Sequence, residues 1–168
     1  MRNFVDIEKS VEVIIYLAKA NPDLFHIAKM LYFADKFHIE ETGTQITGDR
    51  YIAMKDGPVP SGAYDIIKSV RGDGLARFGI PIEEAIRVEN GKTIIPLRDP
   101  NMDYFSENNI RALDKAIEIY GHMSFGDLWR ISHEEVPYQQ ARRNNDIELL
   151  AIIRDLENAD TLLEYLES

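Results

Sequence analysis

Cysteine is absent from this sequence. Disulfides, thiolate nucleophiles and cysteine-built zinc sites are therefore excluded together. Basic charge is scarce: 19 Lys and Arg stand against 29 Asp and Glu, a net charge of −10 at pH 7. The deficit is uneven. Residues 1–77 carry 10 basic and 11 acidic side chains, and residues 78–168 carry 9 and 18. An acidic C-terminal half disfavours nonspecific DNA or anionic-membrane binding and suits a basic protein partner. For any single carboxylate, solubility is the plainer reason. No apolar run reaches the ~20 residues of a membrane span. Residues 1–6 lack the features of a signal peptide, so a cytoplasmic protein is expected. There is no internal repeat or low-complexity tract, and one domain over 1–168 with its own core is the simplest organisation.

Catalytic motifs are missing as well. Pro60-Ser61-Gly62 lacks the frame of a nucleophile elbow. Gly72-x-Gly74 is an isolated pair, neither a P-loop nor a dinucleotide fingerprint. His26 and His38 are twelve residues apart, beyond the four-residue spacing that puts two ligands side by side on a helix. His133-Glu134-Glu135 is followed by Pro137 where a zinc-protease motif needs histidine. The residues point to no catalytic centre, no metal site and no cofactor, and the chain is read as a binding protein rather than an enzyme.

What is present centres on residues 26–62. Asn21-Pro22 reads as a helix start. Apolar residues over 24–37 cover more than one stripe, which predicts a helix enclosed on most sides. Gly43 suits a left-handed stop. Thr47-Gly48-Asp49 has turn composition. Residues 51–55 alternate as a strand, with Ile52 and Met54 on one face and Tyr51 and Lys55 on the other. Gly57-Pro58-Val59-Pro60 predicts an extended corner that cannot sit in mid-sheet, because two donors are missing. Ser61 is the expected cap of a helix ending at residue 69 or 71. Asp35 is out of place in so apolar a helix. A buried carboxylate needs partners, and the expected ones are the 48–57 loop or Arg50.

These residues resemble the Panacea domain of SocA-like antitoxins, which also occurs in phage-associated proteins. The resemblance rests on Leu31-Tyr32-Phe33-Ala34-Asp35, on Gly43 and Ile46, on Gly57-Pro58-Val59 and on Tyr64. It is close over 24–70 and looser beyond, where Trp129 and Ser132-His133 fit the later helices. It implies an antitoxin that neutralises a toxin protein by direct contact, with a protease-adaptor role in the same class. Tyr32, Phe33, Asp35, Gly57 and Tyr64 are the structural motif. Tyr51, Lys55, Pro58, Val59 and Pro60 are the expected partner-binding residues, on the argument that aromatics and prolines on a stiff edge make good anchors. Packing against this protein's own later helices is the alternative for them.

The rest of the chain reads as mainly helical with a small inserted antiparallel sheet. Asp6 caps a helix over 7–20. Asn90-Gly91 between 86–89 and 92–95 marks a type I′ hairpin, expected to join the Tyr51 strand in three strands. Ser106 and Ser124 cap helices over 107–120 and 125–133; Gly121 stops the first, and Leu128 and Trp129 face inward on the second. Pro137 opens a short segment, and helices follow over 147–156 and 160–166. Helices followed by a hairpin is also the order of a winged helix–turn–helix. In that alternative, a DNA-binding regulator, Lys68 and Arg71 on helix 61–71 would meet the groove, although no basic stripe surrounds them.

Overall fold

Asp6 caps the first helix in the computed structural model, which describes residues 4–168. Residues 1–3 of the N-terminal stretch lie outside the described residues. Helix α1 (Ile7–Ala20) buries the expected stripe of Val11, Ile14, Ile15 and Ala18. Helix α2 (Leu24–Thr42) follows, but its cap is Asp23, whose carboxylate accepts from the His26 N–H. Asn21 instead closes α1, and its side-chain oxygen accepts from the Asp23 N–H. Two cap-type residues flank Pro22, and each serves one helix. Gly43 ends α2 with φ 77°, as expected.

Helix α2 is buried on two opposite faces. Ile27, Met30, Leu31 and Ala34, at helical spacing, enter one core with α1. Tyr32, Phe33 and Ile39 enter a second core with Leu128, Tyr138, Ile152 and Ile153. Each fully buried large apolar side chain contributes roughly 1.5–3 kcal/mol. A helix serving two cores is thus held more firmly than an amphipathic surface helix.

Strand β1 (Tyr51–Met54) turns through Lys55 and Asp56 into β2 (Gly57–Pro60), with Met54 opposite Gly57. The expected corner is therefore a strand. Its prolines are tolerated because β2 is an edge strand. The other neighbour of β1 is a two-residue strand absent from the sequence reading, Asp146–Ile147. The Asn-Gly hairpin, β3 (Ile86–Glu89) and β4 (Thr93–Pro96), forms a separate sheet rather than joining β1. Asn90 (φ 53°) and Gly91 (φ 72°) make the predicted turn. Two strands alone are marginal, and this pair is tied to the α1–α2 connection. Ile94 N–H donates to the Pro22 carbonyl and Leu24 N–H to that of Lys92. Ile86 and Ile94 enter the first core.

Helix α3 (Ser61–Arg71) has no cap of its own, because Pro60 occupies the cap position and Ser61 is already helical. Asp49 does the capping from a distance. Its carboxylate accepts from the N–H groups of Arg50 (2.7 Å), Gly62 (2.7 Å) and Ala63 (2.9 Å). The C-terminal half comprises α4 (Glu107–Tyr120), α5 (Phe125–His133), α6 (Val136–Gln140), α7 (Leu149–Arg154) and α8 (Ala159–Glu167). Ser106 and Asn109 form a reciprocal capping box, and Ser124 caps α5. Gly121 follows α4 in right-handed rather than left-handed geometry. The expected helix from 147 starts later, since Ile147 belongs to the sheet. Glu12, buried in α1, receives both Arg98 nitrogens and the Asn101 N–H, which fastens the 97–105 loop. Burial alone would raise its carboxyl, and these donors outweigh that and lower it.

Asp49→Ala is expected to cost about 1–2 kcal/mol, the upper range for a lost helix cap, because three N–H groups lose their acceptor together. Chemical denaturation measures this, and an unchanged midpoint would show that water replaces the carboxylate.

Candidate functional site

Burying α2 also buries two of its charges, and the β1–β2 hairpin answers both. Asp35 accepts from the Ile46 N–H at 2.8 Å and the Tyr51 hydroxyl at 2.6 Å. The first donor lies just before the expected loop and the second inside it. Arg50 instead lies 3.5 Å from Asp146. Burial raises the Asp35 carboxyl to about 6, outweighing the two hydrogen bonds. Tyr51 is therefore an inward residue, 2% exposed, and packs edge-on to Tyr32 at 5.3 Å. Strand alternation separates it from Ile52 and Met54 as predicted, but the buried face is the one with Tyr51 and Ala53.

Lys29, six residues before Asp35 on the same helix, is 1% exposed. Its ammonium donates to the Pro58 carbonyl at 2.9 Å and lies 4.9 Å from the centre of the Phe25 ring. Burial lowers its amine to about 7, partly opposed by Asp56. Gly57 is required beside it. A Cβ there would come within 3.0 Å of both Lys29 Cε and Ser132 Oγ, on a backbone with φ 111°. In the sequence the position of Lys29, four residues from both Phe25 and Phe33, is the signal that places it on an enclosed face of the helix.

Above Lys29 lies an open groove of about 320 Å³, near the lower end of the ~300–1,000 Å³ typical of ligand pockets. Its walls include Phe25, Ala28, Met54, Val59, Tyr64 and Phe125, with Lys55, Asp56 and Lys92 on the lining. Phe125 is 54% exposed and packs on Phe25, with ring centres 4.4 Å apart. Trp129, expected inside, is 38% exposed. It clamps the hairpin turn instead: its indole N–H donates to Asp56 at 3.2 Å, and its ring stacks on His133, which reaches the Lys55 carbonyl at 2.9 Å.

Of the expected partner-binding residues, Lys55 is exposed and Val59 half-buried, both at the groove, whereas Tyr51, Pro58 and Pro60 are buried and offer no surface. Inward alternation and the seating of β2 against α2 account for this. Tyr32 donates to Glu135 at 2.9 Å, and Phe33 stacks on Tyr120. Lys68 pairs with Asp65, and Arg71 grips Asp73 and the Gly91 carbonyl; both lie over the Tyr64 ring. The two basic residues of the winged-helix alternative are thus engaged within the fold.

The family model described as antitoxin SocA-like, Panacea domain, matches residues 27–139, more than half of the chain. The chain belongs to the SocA-like antitoxin family. No curated protein and no solved structure matches it. The matched Panacea domain contains Lys29, Asp35, the whole β1–β2 hairpin, Phe125 and Trp129, so most of the groove lies within it. No helix among the described residues is long and apolar enough to cross a membrane.

Two substitutions test the buried charges. Asp35→Ala strands two donors and is expected to cost about 1–3 kcal/mol. Because the folded carboxyl titrates above the unfolded one, its support weakens as pH rises from about 4 to 6. The loss should therefore be larger at pH 4 than at pH 7. An Asp35→Ala protein that melts like wild type would contradict this. For Lys29 the folded amine titrates at about 7 and the unfolded one at 10.5. Between these values the unfolded chain binds more protons, so stability rises with pH. Wild type should gain on Lys29→Met from pH 7 to 10, and parallel stability–pH curves would contradict it.

Proposed function

We propose that this protein is an antitoxin that neutralises a toxin protein by direct contact, acts without catalysis, and uses the groove over Lys29 as its contact surface. Membership of the SocA-like antitoxin family carries the reading. The groove supports the surface assignment. It combines exposed aromatic area at Phe125 with a rigid frame, and buried anchors of this kind dominate binding energy. The frame is rigid because Asp35, Lys29, Trp129 and His133 all hold the hairpin. Little ordering is then required on association. An adaptor that hands the partner to a protease would use the same contact.

The test is growth rescue. The partner expressed alone should arrest growth. Co-expression with this protein should restore it, with the two purifying as a complex and protection tracking the amount of antitoxin. Phe125→Ala together with Lys55→Glu should weaken the complex at least tenfold while leaving the melting temperature near wild type. Protection at a small substoichiometric dose, lost when His26, His38, His122 and His133 are replaced in a folded variant, would mean turnover rather than capture. An adaptor is recognised separately by a shortened lifetime of the partner in cells.

A further inference from the structure

We propose that the groove receives an acidic side chain of the partner protein, its carboxylate against the Lys29 ammonium and a neighbouring apolar residue against Phe125, Met54 and Val59. This rests on the partner-binding reading and specifies its chemistry. Lys29 has three N–H donors, and one of them is taken by the Pro58 carbonyl. No carboxylate of the described residues lies within 4.0 Å of it, whereas Lys19, Lys36 and Lys68 all have such partners. Nearby acids are otherwise engaged. Asp23 caps α2 and holds His26 at 2.8 Å, and Asp56 accepts from Trp129. Lys55 and Lys92 form no ion pair among the described residues. Three lysines, Lys29, Lys55 and Lys92, thus line one apolar groove with two carboxylates, Asp23 and Asp56, and among the described residues none of the three forms an ion pair with either. A buried ammonium with spare donors and no counter-ion is costly. A carboxylate that reaches it gains from the low local dielectric. The volume admits one or two side chains, not a helix.

The titratable groups that share the groove lining with Lys29 are Lys55 and Asp56 from the hairpin turn, Tyr64 from α3, Lys92 from the β3–β4 turn and Asp23 at the cap of its own helix; His26, on that helix, is held by Asp23 and the Met123 carbonyl. With a free amine near 7, pairing must raise its titration midpoint and take up a proton.

The experiment uses the full chain with ¹³C-labelled lysine, following the Lys29 Cε resonance through a pH titration. Two capped tripeptides serve as probes, Phe-Asp-Leu and its near-isostere Phe-Asn-Leu. The Asp peptide should move the midpoint up by one unit or more, bind more weakly as pH rises above 7, and lose its effect on binding in Lys29→Met. The Asn peptide should do none of this. In parallel, Lys29→Met should weaken the complex with the co-purifying partner at least tenfold, while Lys115→Met, away from the groove, leaves it unchanged. Equal response to both peptides, or a Lys29→Met complex within twofold of wild type, overturns the proposal and leaves the antitoxin reading standing. A specific response to the Asp peptide without any toxic partner supports the groove chemistry and removes the antitoxin reading instead.

Discussion

Helix α2 cannot be enclosed on both faces unless its charges find partners, and the segment that supplies them is the one that becomes the β1–β2 hairpin. An unpaired buried carboxylate or ammonium costs several kcal/mol. Asp35 therefore draws in Ile46 and Tyr51, and Lys29 draws in Pro58. With both ends of the hairpin stapled, β2 lies against α2, and the chain must start α3 immediately after Pro60. That start removes a normal cap, and Asp49 supplies one because the same hairpin brings it alongside Gly62 and Ala63. A third charge, Lys36, extends the pattern to the C-terminal half by joining Glu135 at 2.6 Å and Asp155 at 3.0 Å, with Tyr32 also on Glu135. The cores supply most of the stabilisation. The paired charges decide which segment packs where.

Local rules transferred well from sequence to structure. Asn90-Gly91, the caps at Asp6, Ser106 and Ser124, and the left-handed Gly43 depend on residues within a turn of one another, so the chain states them outright. The partnering of Asp35 was also legible, since a carboxylate in an apolar helix demands donors, though which donors was a question of tertiary distance. What escaped was set across long stretches of chain. Asp146-Ile147 is a strand only because β1 offers it an edge. Period-two alternation separates Tyr51 from Ile52 but does not say which side meets the core. An alternating pattern with an apolar or aromatic residue on each face leaves that choice to the packing. Asp23 and Asp49 were overlooked for a related reason: cap-type residues were plentiful around both prolines, and geometry chose among them.

The candidate site was half legible. Lys55 and Val59 of the expected proline-rich edge line the groove, Tyr64 joins them from the structural motif, and the exposed aromatic on the lining is Phe125, from a helix some sixty residues downstream. Trp129 illustrates the physical ambiguity. Large aromatics are usually inside, yet the indole N–H needs an acceptor when buried, and here Asp56 at the surface provides it. The ring therefore lies half out, covering the hairpin turn rather than filling the core.

Charge acts on this molecule at two ranges. The excess of acid lies beyond residue 77, and its field extends only about a Debye length, ~8 Å at physiological salt. It biases approach towards partners with basic surface without choosing a docking pose. The groove works at contact distance, where walls of low polarizability make one ammonium count for more than several solvated carboxylates. The opposite signs at the two ranges are therefore compatible. If the groove takes the proposed carboxylate, a partner that is basic overall is drawn in by the acidic half, and a single carboxylate on it fixes the register at Lys29. A uniformly acidic partner would meet repulsion before it reached the groove, and a uniformly basic one would leave the Lys29 ammonium buried without a counter-ion. Under the proposed contact, discrimination requires both features in one ligand, a more selective demand than either charge pattern makes alone.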